Sequence, residues 1–365
     1  MKKQEQLVQY NLLKILAVFM VIAVHMMNVV ELVPQGNQNA LRFHEVIRTL
    51  LLTSNGLFFM VSGRFLLENY HGGMGRFYWK RFVKIGIPVL AASLFYYVYV
   101  YGRNGLSLHF WKGLLTDLLQ SRIQGYFWFV YALAGFYLAV PFLSRMFANM
   151  GKGEKGALTG ITLAYFGLQN LYQIFGLEMV FTSYLFYSWV FYCILGYLLD
   201  SFKLTKRQIK LVILAGILAF LVSSWEICFW KRENPALHNY SVTMILMTSA
   251  VYLAVTVYGR KMAERFSGVI QAIAKRSFYI YLMHGLTQIT IGAKLTGGMG
   301  KVLEGTDAGL SVRWGYWLGM SVVSFVLAFA IGCVLDWLYE PFSRYLLNAG
   351  KGKQQESIPG GAGRL

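Results

Sequence analysis

The stretch LLKILAVFMVIAVH, Leu12–His25, is apolar except at Lys14 near its start and His25 at its end. A helix that is apolar on every side faces either a large core or lipid. Continued to residue 31, this one is long enough to cross a bilayer, because about 30 Å of hydrocarbon at 1.5 Å per residue takes roughly 20 residues. Reading outward from it, comparable runs recur at 46–67, 83–101, 126–147, 157–175, 180–199, 209–230, 240–259, 275–293 and 313–338. The pattern predicts an all-α polytopic membrane protein of about ten transmembrane helices. The run at 157–175 is the least apolar, with Gln169, Asn170 and Gln173 in its outer half.

Composition agrees. Of 365 residues, 56% are hydrophobic and 14% charged, against about 25% charged in an ordinary soluble domain. A soluble enzyme, a disordered protein and a disulfide scaffold are excluded on that ground. The net charge of +18 does not point to nucleic acid, because the basic residues lie between apolar segments instead of forming one patch. Cys193, Cys228 and Cys333 are far apart within apolar runs and have no metal-ligand spacing, so neither a metal nor a disulfide is expected.

The basic clusters orient the chain. With the N-terminus in the cytoplasm, Lys2, Lys3 and Lys14 fall on the inner side, as do the groups Arg76–Lys84, Lys203–Lys210 and Arg260–Arg276. The positive-inside rule then predicts both termini inside. The first run lacks a small-residue cleavage site and is expected to be kept as a helix. Residues 1–345 read as one membrane domain, and the Gly-rich stretch 346–365 as a disordered cytoplasmic tail. Leu106–Leu119 has the make-up of an interfacial helix.

Titratable groups at membrane depth suggest function. Most carboxylates fall in loops or at span ends, with only Glu226 and Asp336 clearly inside spans, each near an end. The deep groups are two histidines, His25 and His284. Lys14 and His25 are eleven residues apart, a step of about 1100°, so they face the same way about 16 Å apart along the axis. A lysine at the rim can reach anionic groups, and a neutral imidazole further in can take a proton from a hydroxyl. Arg76, Arg81 and Lys84 form a second cationic group before Pro88, with Arg81 and Lys84 on one face of a regular helix.

In order along the chain come the Lys14–His25 pair, FFMVSG (Phe58–Gly63), KRFVKIGIP (Lys80–Pro88), YFWF (Tyr126–Phe129) with Pro141, Gly196 of FYCILGYLL, IYLMH ending at His284, and EPF (Glu340–Phe342). This succession resembles the acyltransferase-3 family of integral membrane acyltransferases over residues 10–345. The family's cation–ten residues–histidine signature reads here as Lys14 and His25, and its basic pair as Arg81 and Lys84. Arg64, directly after Ser62-Gly63, stands where an apolar or aromatic residue is more usual and gains no role from the sequence.

The resemblance implies transfer of an acyl group, acetyl by expectation, from cytoplasmic acyl-CoA to a hydroxyl of a surface carbohydrate, glycolipid or lipid-linked acceptor at the cell membrane. It assigns His25 as the base, with His284 as the second catalytic candidate. Lys14, Arg76, Arg81 and Lys84 would hold the CoA phosphates. Ser62, Tyr281 and Trp128 would position substrate; His284, Tyr281 and Ser62 are equally open as the group that polarises the carbonyl. Glu340 reads as the structural partner of a nearby cation. The rival reading is a transporter or flippase for a lipid-linked saccharide, against which stand the lack of midplane carboxylates and of repeat symmetry.

Overall fold

The computed structural model describes residues 8–30, 32–33, 36–70, 72–102, 107–179, 184–229, 239–288 and 309–355. Every regular element among them is helical. Two compact units form: Met1–Asn69 with Phe142–Phe329, and Tyr70–Pro141 with Ala330–Leu365. Two long helices, α6 (Trp128–Asn149) and α14 (Leu310–Gln355), contribute a part to each.

The larger unit is built on α1 (Val8–Met27) and α2 (Gln38–Glu68). It also holds α7 (Lys152–Ile174), α8 (Trp189–Ser201), α9 (Lys206–Phe229) and α10 (Val242–Leu253), which runs on through a π-helical turn, Ala254–Tyr258. Three short helices follow: α11 (Arg260–Arg265), α12 (Ser267–Lys275) and α13 (Ser277–Thr287). Helix starts follow their caps. The side chains of Asn37, Ser188 and Ser241 accept from Ala40, Val190 and Met244 N–H groups, each bond supplying about 1 kcal/mol.

Small residues let helices meet backbone to backbone. A Cβ on Gly63 of α2 would overlap the main chain of Cys193, and one on Gly196 of α8 would overlap that of Met60. The two glycines therefore define one α2–α8 crossing from opposite sides. At the C-terminal end of α1, Met26, Met27, Val30 and Leu32 join Trp317 and Met320 in a buried apolar cluster.

The smaller unit holds α3 (Met74–Arg81), a π-helical turn Phe82–Gly86, α4 (Ile87–Tyr101) and α5 (Leu108–Leu119). The turn has a local cause: Pro88 cannot donate to the carbonyl of Lys84 and crowds it. The Ile87 N–H instead reaches back to Phe82, the i→i+5 pattern of a π turn. Tyr339 Oη donates to the carbonyl of Val83 at 2.6 Å. Glu340 pairs with Arg344 at 2.9 Å, the cation partner expected of it.

Among the described residues, six helices are long and apolar enough to span a membrane: Val8–Met27, Gln38–Glu68, Met74–Tyr101, Gly125–Asn149, Lys206–Phe229 and Leu310–Ala349. The outward residues of α9, such as Leu214, Ile217, Leu221 and Trp225, are exposed, a surface suited to lipid and not to water. The protein is an all-α polytopic membrane protein.

The six differ from the expected ten for identifiable reasons. α7 forms but carries charge at its start and amides near its end. The expected span 180–199 begins as helix only at Trp189, because Ser188 caps it. Val242–Tyr258 is apolar but shorter than a span. The run 275–293 is broken at Arg276, and its last part lies outside the described residues. The span expected from 83 starts earlier, at Met74. The last helix continues to Gln355, into the stretch expected as a disordered tail, of which 356–365 lie outside the described residues. α5 occupies the place of the expected interfacial helix, and its Leu108, Trp111, Leu115 and Leu119 are exposed.

Candidate active site

α1 is unbroken from Val8 to Met27, so the eleven-residue register between Lys14 and His25 is that of a regular helix. Toward its C-terminal end, α1 meets α13. The His25 and His284 rings lie 5.3 Å apart between centroids, tilted by 43°. His284 has no exposed surface, and His25 is half-buried. Sequence reasoning singled out both residues but not that they touch.

The environment of His284 fixes its chemistry. Its Nδ1 lies 2.5 Å from the carbonyl oxygen of Tyr281, one turn back. A carbonyl can only accept, so Nδ1 carries the hydrogen. In the neutral ring, Nε2 is then the basic nitrogen. The Tyr281 ring is buried 5.7 Å from that of His284, stacks on Phe278 and meets Phe58 of α2 edge-on at 6.4 Å.

Phe58 begins a stripe along α2. Phe58, Ser62 and Phe65 are four and three residues apart and share a face. At one end Phe58 meets Tyr281; at the other, Lys14 Nζ lies 5.3 Å from the centre of the Phe65 ring. Half-buried Ser62 sits on that stripe between the two. α2 therefore lies along α1 from the lysine to the histidines. The face shared by Lys14 and His25 is covered by protein at both places.

Among the described residues, Lys14 has no carboxylate partner, whereas its neighbour Arg64 is fully engaged. Arg64 pairs with Asp200 of α8 and with Glu68, and the Tyr10 hydroxyl donates to the same Asp200. Arg64, which the sequence left without a role, ties α1, α2 and α8 together near the start of α1. Its charge is neutralised, leaving Lys14 as the nearby cation, which among the described residues makes a cation–π contact.

Two supports of the histidine pair escaped sequence reasoning. Gln288 Nε2 donates to the carbonyl of Ile22 at 3.4 Å, and Trp317 Nε1 donates to that of Ala23 at 2.9 Å. Both reach the backbone just before His25. Gln288 had a usable signal, standing four residues after His284 and so on its face. Trp317 had none. Thr287 Oγ1 and Ser324 Oγ, 2.6 Å apart, fasten α13 to α14.

The smaller unit holds the other assigned residues. Arg81 is half-buried, its guanidinium 5.2 Å over the Phe77 ring and 5.6 Å over Tyr137. Arg76 and Lys84 are exposed. Lys84 lies in the π-helical turn, so the shared face expected of Arg81 and Lys84 in a regular helix is not what the backbone gives. Trp128 opens α6, half-buried.

An imidazole beside a second imidazole of fixed tautomer, with aromatic rings around the second, can accept and return a proton. A family model described as an acyltransferase domain, that of the acyltransferase-3 family, matches residues 7–333. No curated protein and no solved structure matches the chain. The match runs from the start of α1 into the last helix and takes in both histidines. With that pattern spread over nearly the whole of an all-α membrane fold, the chain belongs to the acyltransferase-3 family of membrane acyltransferases.

Proposed function

We propose that this membrane acyltransferase moves an acyl group, acetyl by preference, from cytoplasmic acyl-CoA to a hydroxyl of a surface carbohydrate, glycolipid or related lipid-linked acceptor. The observation that carries the reading is the contact of His284 with His25, on a helix that presents Lys14 three turns earlier. The proposal places both termini inside and the protein in the cell membrane, crossing it about ten times.

His25 takes the proton of the acceptor hydroxyl as its oxygen attacks the thioester carbonyl carbon. The tetrahedral oxyanion collapses, the carbon–sulfur bond breaks, and the ester forms. The CoA thiolate leaves, and the proton held by His25 returns to the sulfur. His284, its Nδ1 hydrogen held by Tyr281, orients His25 or accepts a hydrogen bond from the acceptor. Ser62 and Tyr281 lie on the wall between the histidines and Lys14 and position substrate there. Lys14 binds a donor phosphate, a charge-assisted contact. In the smaller unit, Arg76, Arg81 and Lys84 are proposed as phosphate ligands and Trp128 as a stacking surface, each to be tested in its own right.

The direct test incubates purified protein in lipid nanodiscs with radiolabelled acetyl-CoA and lipid-linked saccharides, followed by mass spectrometry of the products. Label in an ester-linked acetyl group, lost in His25→Ala at unchanged melting temperature, supports the reading. Equal turnover in His25→Ala removes His25 from the chemistry. Saccharide carried across the membrane with no acylated product favours a transporter.

A further inference from the structure

Away from the histidines, the larger unit contains a cavity of about 520 Å³ between the C-terminal ends of α7 and α9 and the start of α10. That volume lies within the range of about 300–1,000 Å³ typical of small-molecule sites. Its walls combine apolar side chains, among them Leu171, Ile174 and Val242, with Asn170, Glu226 and Thr243. Asn170 and Glu226 are two of the polar residues that interrupt apolar runs in the sequence, and here they line one space.

The amide of Asn170 is oriented by its own bond. Its Oδ1 accepts from the Val242 N–H at 2.8 Å, at the start of α10. The N–H can only donate, so the other amide atom is Nδ2, a donor. Nδ2 is buried and has no hydrogen-bond partner among the described residues, and neither has the buried Oε2 of Glu226. The Ser241 hydroxyl is already used, accepting from Met244 and contacting Thr243. Among the described residues, the cavity thus presents one unmet donor and one unmet acceptor that do not satisfy each other.

A hydroxyl meets both needs, accepting from the amide and donating to the carboxylate. A water molecule does so too, but it fills about 30 Å³ and leaves the apolar walls uncovered. A ring bearing several hydroxyls and an apolar C–H face suits both the polar pair and the leucine and isoleucine beside it. We propose that this cavity binds a polyhydroxylated ring, either as a free sugar or polyol or as the headgroup of a glycolipid, through Asn170 and Glu226. The proposal stands apart from acyl transfer, since its residues are not those of the histidine pair and its test contains no acyl donor.

The test uses the full chain in phosphatidylcholine nanodiscs prepared without glycoside detergents, with saturation-transfer NMR as the readout. The probes are methyl β-glucopyranoside for the free ring and a glucosyl-diacylglycerol in the nanodisc for the headgroup. Saturation of ring protons is expected in at least one arm, and the arm identifies the source. It should fall at least fivefold in Glu226→Leu. Asn170→Asp keeps the oxygen that caps α10 but removes the donor, so it should also lose the signal at an unchanged melting temperature. Glu226→Gln, which keeps an acceptor, should retain at least half. The proposal is overturned by absence of ring-proton saturation in both arms, by saturation confined to acyl-chain protons, or by wild-type signal in both Glu226→Leu and Asn170→Asp.

Discussion

The two ends of α1 handle polar groups in opposite ways. Near its start, Tyr10 joins Arg64, Asp200 and Glu68 in a cluster where each charge meets its opposite. Near its far end, His25 and His284 meet among aromatic rings, with a carbonyl fixing the tautomer of one of them. Lys14 stands between, a cation without a carboxylate among the described residues. The difference separates roles. Charges near the rim that are matched hold helices together; the histidine end instead sets imidazoles against each other and against aromatic rings.

Substitutions can break this contrast, and the histidine end should respond most. His25→Ala should lower kcat by about 10²–10⁴-fold, the range for losing a general base, with little change in melting temperature; a steady-state acyl-transfer assay measures it. Lys14→Ala should raise KM for acyl-CoA roughly tenfold to a hundredfold, as loss of a charge-assisted contact implies, while kcat changes little. At the matched end the sign of the effect changes from activity to stability. Asp200→Asn should cost about 1–2 kcal/mol, because the Arg64–Asp200 pair is only partly shielded from solvent, and correctly folded enzyme should keep its KM. Glu68→Gln, whose side chain is 51% exposed, should change thermal stability by less than about 0.5 kcal/mol. A fall in kcat for Asp200→Asn as large as for His25→Ala would erase the proposed division of labour.

What the sequence reveals here is what a single helix encodes. The Lys14–His25 register is readable because helical geometry turns a spacing into an angle. Gly63 and Gly196 were visible within motifs, but their shared crossing was not, since it joins segments far apart in the chain. The same limit hid Asp200 from Arg64 and His284 from His25: the two histidines and Arg64 were conspicuous alone, Asp200 was one helix-end carboxylate among many, and each pairing exists only after the helices pack. Pro88 held a local signal for the π-helical turn, and reading through it as regular helix put Arg81 and Lys84 on one face. Ser188 likewise marked the true start of α8, but the apolar run before it argued for an earlier one.

The bond from the Val242 N–H to Asn170 also bears on the order of biosynthesis. It joins residues 72 positions apart, and at about 5–20 residues per second the ribosome makes Asn170 several seconds before Val242. The acceptor that finishes the start of α10 is thus already synthesised when that helix emerges, whereas a chain permuted to make α10 first would leave its leading amide waiting.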